Sequence, residues 1–186
     1  MAQTGAGWLR GEVVNTCPAT LERGPKMSSS TVHASGTQTS ATTLVMAFIA
    51  GALAVPVFHQ IAMWLLNTLG IINALVGIPA IPIFSMAPTK PLGVPEIFSI
   101  SFWGGVWGIV FALALPRWFK GVAYWVAAAV IGGLALTLVY IYVVTPLKSG
   151  SPAPFYPVIV IGFIVNAAWG IGWALFLMLF ERMRSA

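Results

Sequence analysis

Long apolar runs separated by short polar or proline-rich breaks set the organisation of this chain. Four segments reach the roughly 20 apolar residues needed to cross a hydrocarbon core. They lie at about Thr43 to Leu66, Glu96 to Leu115, Val122 to Thr145 and Pro157 to Phe180. Each is long enough for a helix. Prolines punctuate the ends: Pro95 suits the first turn of the second span, Pro116 and Pro146 are expected to stop the second and third, and Pro157 opens the fourth. Aromatic side chains gather near the same ends (Trp118, Phe119, Tyr124, Trp125, Tyr142, Phe155 and Tyr156), as rings do in the headgroup layer. The expected fold is an all-α polytopic membrane protein with four transmembrane helices in a compact bundle.

Two stretches depart from this pattern. Residues 1–42 are rich in Gly, Ser, Thr and Ala with mixed charges, a composition that predicts a disordered cytoplasmic tail. No apolar stretch of signal-peptide length precedes Leu44, so the first span is expected to double as the targeting signal. Met27, opening a Met-Ser-Ser-Ser run, is a candidate alternative start. The second stretch is the proline-rich loop 67–95. Its apolar part, Ile71 to Met86, has two internal prolines and is too short for an ordinary span, so it predicts an interfacial or re-entrant segment packed on the bundle. The domain proper is therefore 43–183.

Composition removes the soluble alternative. Of 186 residues, 59% are hydrophobic and only 7% charged, against about 25% charged in soluble domains. The net charge of +5 comes from basic residues scattered in ones and twos, not from a stripe that would read as a nucleic-acid surface. Their placement sets topology. Arg10, Arg23, Lys26, Arg117, Lys120, Arg182 and Arg184 fall on one side of a four-span arrangement, against Lys90 and Lys148 on the other. By the positive-inside rule both termini are expected in the cytoplasm. A single cysteine, Cys17, excludes an intramolecular disulfide.

Small residues recur four apart in each span: Ala47 and Gly51, Gly104 and Gly108, Ala128 and Gly132, Ala168 and Gly172. Such spacing lets helix backbones approach closely inside a bilayer. In the fourth span Gly162, Asn166 and Gly170 share a face that is expected to point inward, with Asn166 bonding to a neighbouring helix. The Gly104 and Gly108 face could serve either this bundle or a homodimer. An internal repeat is also visible: Trp107 to Leu115 aligns with Trp169 to Leu177, and Ala47 to Gly51 aligns more weakly with Ala129 to Gly133. It suggests two hairpins in a 2+2 arrangement, with shared membrane composition as the competing explanation.

Candidate chemistry is sparse. Pro56 lies inside the first span, where it removes a backbone donor, crowds the carbonyl of Ala52 and predicts a kink. His59 follows it and is the one ionisable group clearly within a span, so any intramembrane site is expected at Pro56, His59 and Gln60, with Asn166 as a further polar member. His59 could ligate a haem or pigment, or it could be a neutral imidazole hydrogen-bonded to its surroundings. His33, the other histidine, lies in the tail and cannot complete a bis-histidine haem. Ser99, Ser101 and Glu96 fall on the same side as His59 and form the weakest candidate constellation, a hydrolase triad. No zinc, phosphate-loop or nucleophile-elbow signature is present, and the Gly104-Gly105 pair reads as packing. The expectation is no enzyme, no catalytic residue and no metal, and no cofactor unless His59 holds one.

The segments Ser85-Met86-Ala87-Pro88, Pro91-Leu92-Gly93-Val94-Pro95 and Phe102-Trp103-Gly104-Gly105-Val106-Trp107-Gly108 resemble those of the small uncharacterised four-span inner-membrane proteins of Gram-negative bacteria, over about residues 43 to 183. That resemblance implies an inner-membrane location and carries no catalytic residues. The reading is a non-enzymatic membrane component or accessory subunit, its partners being lipid and other membrane subunits or a second copy. Small-solute transport or cofactor binding at His59 is the alternative.

Overall fold

The computed structural model describes residues 40–90 and 92–186. The expectations for the tail, including its disorder, the Met27 start, Cys17 and His33, lie outside the described residues. Four helices in it are long and apolar enough to cross a membrane: Ala41–Thr68, Glu96–Trp118, Val122–Ser149 and Phe155–Ser185. This is the architecture of a multi-pass membrane protein, and these helices are called spans one to four.

Span one begins at Ala41, so Ala41 and Thr42 belong to the helix and not to the tail. The Ser40 hydroxyl accepts the Thr43 N–H at 3.2 Å, satisfying one of the free donors at the helix start. Spans two and three also outrun their expected ends. Pro116 does not stop span two, which continues to Trp118. At that position the proline removes a single late hydrogen bond, and little helix remains beyond it to be lost. Pro146 likewise fails to end span three. A π-helical turn at Tyr140–Val144 comes first, and the α-helix resumes over Thr145–Ser149 with the proline in its first turn. Widening the turn in this way gives a proline ring room that a regular α-turn lacks. Pro56 in span one is accommodated by the same device, a π turn at Val55–His59. In span four Tyr156 is extended (φ −102°, ψ 131°) and regular helix follows from Pro157, as its sequence position implies.

The spans pack as two antiparallel hairpins, one against two and three against four, with spans one and four joining them; spans two and three make only sparse contact. Backbone proximity carries both hairpins. Gly51 lies against the Gly104 carbonyl, and Gly108 against the carbonyl of Ala47. In the second hairpin Gly170 lies against the carbonyl of Ala128, and Gly132 against that of Asn166. The Gly104 and Gly108 face is thus occupied within the chain by span one. The two hairpins share a register: Gly108 and Gly170, equivalent in the sequence repeat, each meet an alanine carbonyl. The alanine in the second hairpin is Ala128, one position from the Ala129 that the sequence alignment pairs with Ala47.

The segment after span one does not cross the bundle. It forms a six-residue helix, Ile71–Val76, and then irregular chain as far as a two-residue antiparallel ladder pairing Pro88 with Pro95 and Thr89 with Val94. Ile72 anchors it, fully buried in a cluster with Ala62, Leu66, Ile161 and Val165. Span two starts against this cap, with Glu96 N–H donating to the Ala87 carbonyl at 2.9 Å and Ile97 N–H to that of Ser85 at 3.0 Å. The cap therefore satisfies donors that a helix N-terminus would otherwise leave open in an apolar setting. At the opposite face spans two and three are joined by a tight turn in which Gly121 adopts φ +57°, a conformation costly for residues with a Cβ.

Candidate functional site

Span one delivers its polar residues to three different destinations. Gln60, the first residue after the π turn, is buried, and its Oε1 accepts the Phe84 N–H at 3.1 Å. Two turns further on, Asn67 grips one residue of the same loop twice: its Nδ2 donates to the Ile81 carbonyl at 2.8 Å, and its Oδ1 accepts the Ile81 N–H at 3.0 Å. Gln60 and Asn67 stand seven apart, so they share a helix face and act as two staples along the cap. His59 is the last residue of the π turn, and its Nδ1 is buried with no hydrogen-bond partner among the described residues. Of the two expected roles of the imidazole, the neutral form hydrogen-bonded to its surroundings is not met through that nitrogen among the described residues.

Asn166 behaves as its position on the Gly162 and Gly170 face implies. Its Nδ2 donates to Thr137 Oγ1 of span three at 3.0 Å, and the Thr137 side chain fills the space over Gly162. Asn166 is thus committed to span three and Gln60 to the cap. No hydrogen bond joins either of them to His59. Nor, among the described residues, does a hydrogen bond link Ser99, Ser101 or Glu96 to His59. Among those residues no three His, Cys, Asp or Glu side chains cluster as metal ligands would.

The centre of the bundle is instead aromatic. Trp169 and Trp173 are 1% and 0% exposed. Their rings stand over Gly104 and Gly108 respectively. Phe111 meets both edge-on, at ring centroid distances of 5.4 and 5.5 Å, an arrangement favoured by aromatic quadrupoles. Trp169 Nε1 donates to the Gly51 carbonyl at 2.9 Å, tying span four to span one, whereas the buried Trp173 Nε1 has no partner among the described residues. The signal available in the sequence was spacing: the two tryptophans stand four apart and each precedes or follows a glycine, as a packing face requires.

Comparison with family models, curated proteins and solved structures finds no match to this chain.

The cap staples carry a local prediction. Asn67→Ala removes both bonds to Ile81, each worth about 0.5–1.5 kcal/mol, without touching the bundle interior. Hydrogen exchange at the Ile81 and Phe84 amides is expected to accelerate about ten-fold, with the thermal transition of the spans little changed. Unchanged exchange would show that the cap is held by other contacts.

Proposed function

We propose that this chain is a non-enzymatic, multi-pass component of a bacterial inner membrane, an accessory subunit with both ends in the cytoplasm. One observation carries the reading: four polar side chains of the spans, His59 apart, are used to hold the molecule together. Gln60 and Asn67 staple the cap, Asn166 joins spans three and four, and Trp169 joins spans four and one. A transport path or a catalytic site needs polar groups left open to a substrate. The orientation rests on the excess of Lys and Arg at the face of the 119–121 turn, and the location on the resemblance of the cap and of Phe102 to Gly108 to small four-span inner-membrane proteins. The test is purification of the tagged chain from native membranes in mild detergent. A membrane partner recovered in fixed stoichiometry is the expected result; a chain that runs alone and turns over a substrate would overturn the proposal.

The unpartnered Nδ1 of His59 favours a second reading, a haem- or pigment-binding or small-solute transport protein centred on that residue. An absorption band above 300 nm in the purified protein, lost in His59→Ala, supports the cofactor form. A liposome flux unchanged in the same variant counts against transport through His59.

A further inference from the structure

Spans two and three, which make only sparse contact, leave between them an apolar groove of about 320 Å³ open to the surroundings. Small side chains make the room: Ala114 faces it from span two and Ala135 from span three, between the walls of Trp107, Val110 and Ile131. Phe111 and Leu115, both buried, form its floor. In a bilayer such a groove does not stay empty, because an unfilled apolar gap forfeits the dispersion contacts of its whole lining.

The groove ends at Trp118 and Phe119. Trp118 is 80% exposed, and the pair is bracketed in sequence by Arg117 and Lys120, both exposed. Arg182 and Arg184 lie at the same face of the bundle, beside the Glu181 position. An acyl-chain-shaped apolar seat therefore leads to an amphipathic indole and then to two cations. That order matches the order of groups along an anionic phospholipid, from chain through glycerol to phosphate. Basic sites at the cytoplasmic ends of gaps between transmembrane helices are the places where such headgroups bind.

We propose that the groove between spans two and three is a binding site for one anionic phospholipid, its acyl chain lying along Ala114 and Ala135 and its phosphate held by Arg117 and Lys120. The site goes beyond the accessory-subunit reading and does not depend on it. Arg117 is suited to fork onto two phosphate oxygens, and Lys120 supplies a point charge across the turn. Filling the groove with lipid would also fix the angle between the two hairpins at an edge where protein contacts are sparse.

The test uses the full chain in phosphatidylcholine vesicles doped with either brominated phosphatidylglycerol or brominated phosphatidylcholine, read by quenching of tryptophan fluorescence. Trp107 and Trp118 line the groove and report its occupant. The phosphatidylglycerol is expected to quench at lower mole fraction, with about a five-fold preference for each basic residue engaged. R117Q/K120Q should bring the two curves together, and Ala135→Phe, or Ala114→Leu if the first disturbs folding, should do the same by blocking the seat, with elution volume unchanged. Equal quenching by the two lipids in the parent protein would reduce the groove to ordinary lipid contact and overturn the site. So would a preference that survives either the charge or the filling variants. A filling variant that converts a dimer to a monomer, with no lipid preference in the parent, would assign the groove to a second copy instead.

Discussion

Gly108→Ala is expected to destabilise the bundle by about 3 kcal/mol, at the upper end of what overpacking costs, although it adds one methyl group. The added Cβ would overlap the carbonyl oxygen of Ala47 and come within 3.0 Å of Nε1 in the buried Trp173 ring. Neither obstacle yields easily, because one is helix backbone and the other is wedged against Phe111. Gly132→Ala is the matched control. There the nearest atom, the Asn166 carbonyl oxygen, stands at 3.2 Å and the next at 3.5 Å, so a shift of a few tenths of an ångström suffices. It should cost about 1 kcal/mol or less. Unfolding in mixed micelles with rising sodium dodecyl sulfate, followed by tryptophan fluorescence, gives both values. A Gly132 variant as damaging as the Gly108 variant would mean that the close approach of spans one and two is not what holds the first hairpin together.

The second large effect separates two tryptophans that look alike in burial. Trp169→Phe deletes the 2.9 Å hydrogen bond to Gly51, worth about 0.6–1.7 kcal/mol between membrane helices, and leaves the space of the missing ring behind. A total loss of about 2 kcal/mol is expected, since a cavity term adds to the lost bond. Trp173→Phe leaves a similar gap but also removes a buried N–H that has no partner. Relieving an unsatisfied donor offsets part of the cavity cost, so this variant should lose about 1 kcal/mol or less. The comparison is informative because ring size changes equally in both. Equal losses would show that the bond from Trp169 to Gly51 contributes nothing net.

The four crossings were legible because each depends on length and apolarity alone, which a linear sequence displays directly. The close packing of Gly51 with Gly104 was foreshadowed by four-residue spacing, since that spacing fixes which residues share a helix face. Asn166 could be placed for the same reason, lying on a glycine face that had to turn inward. What the sequence did not disclose is which partner each face meets. Gln60 and Asn166 are both polar and both within spans, yet one turns to the cap and the other to span three. That choice depends on how the hairpins are rotated against each other, a property of the assembled bundle. The helix ends at Pro116 and Pro146 were misplaced because proline was read as a stop. The actual cost depends on whether the preceding turn can widen and on how much helix follows. The central place of Trp169 and Trp173 was not drawn from the sequence, although their glycine neighbours and four-residue spacing mark a packing face.

The π turns at Val55–His59 and Tyr140–Val144 amount, in effect, to a single-residue insertion in spans one and three. One added residue advances everything beyond it by about 100° around the helix axis. In span one this lets a single rod address two audiences: Ala47 and Gly51 face span two on one side of the turn, while Gln60 and Asn67 address the cap on the other. The turn between the bundle below and the cap above absorbs the difference in their angular demands.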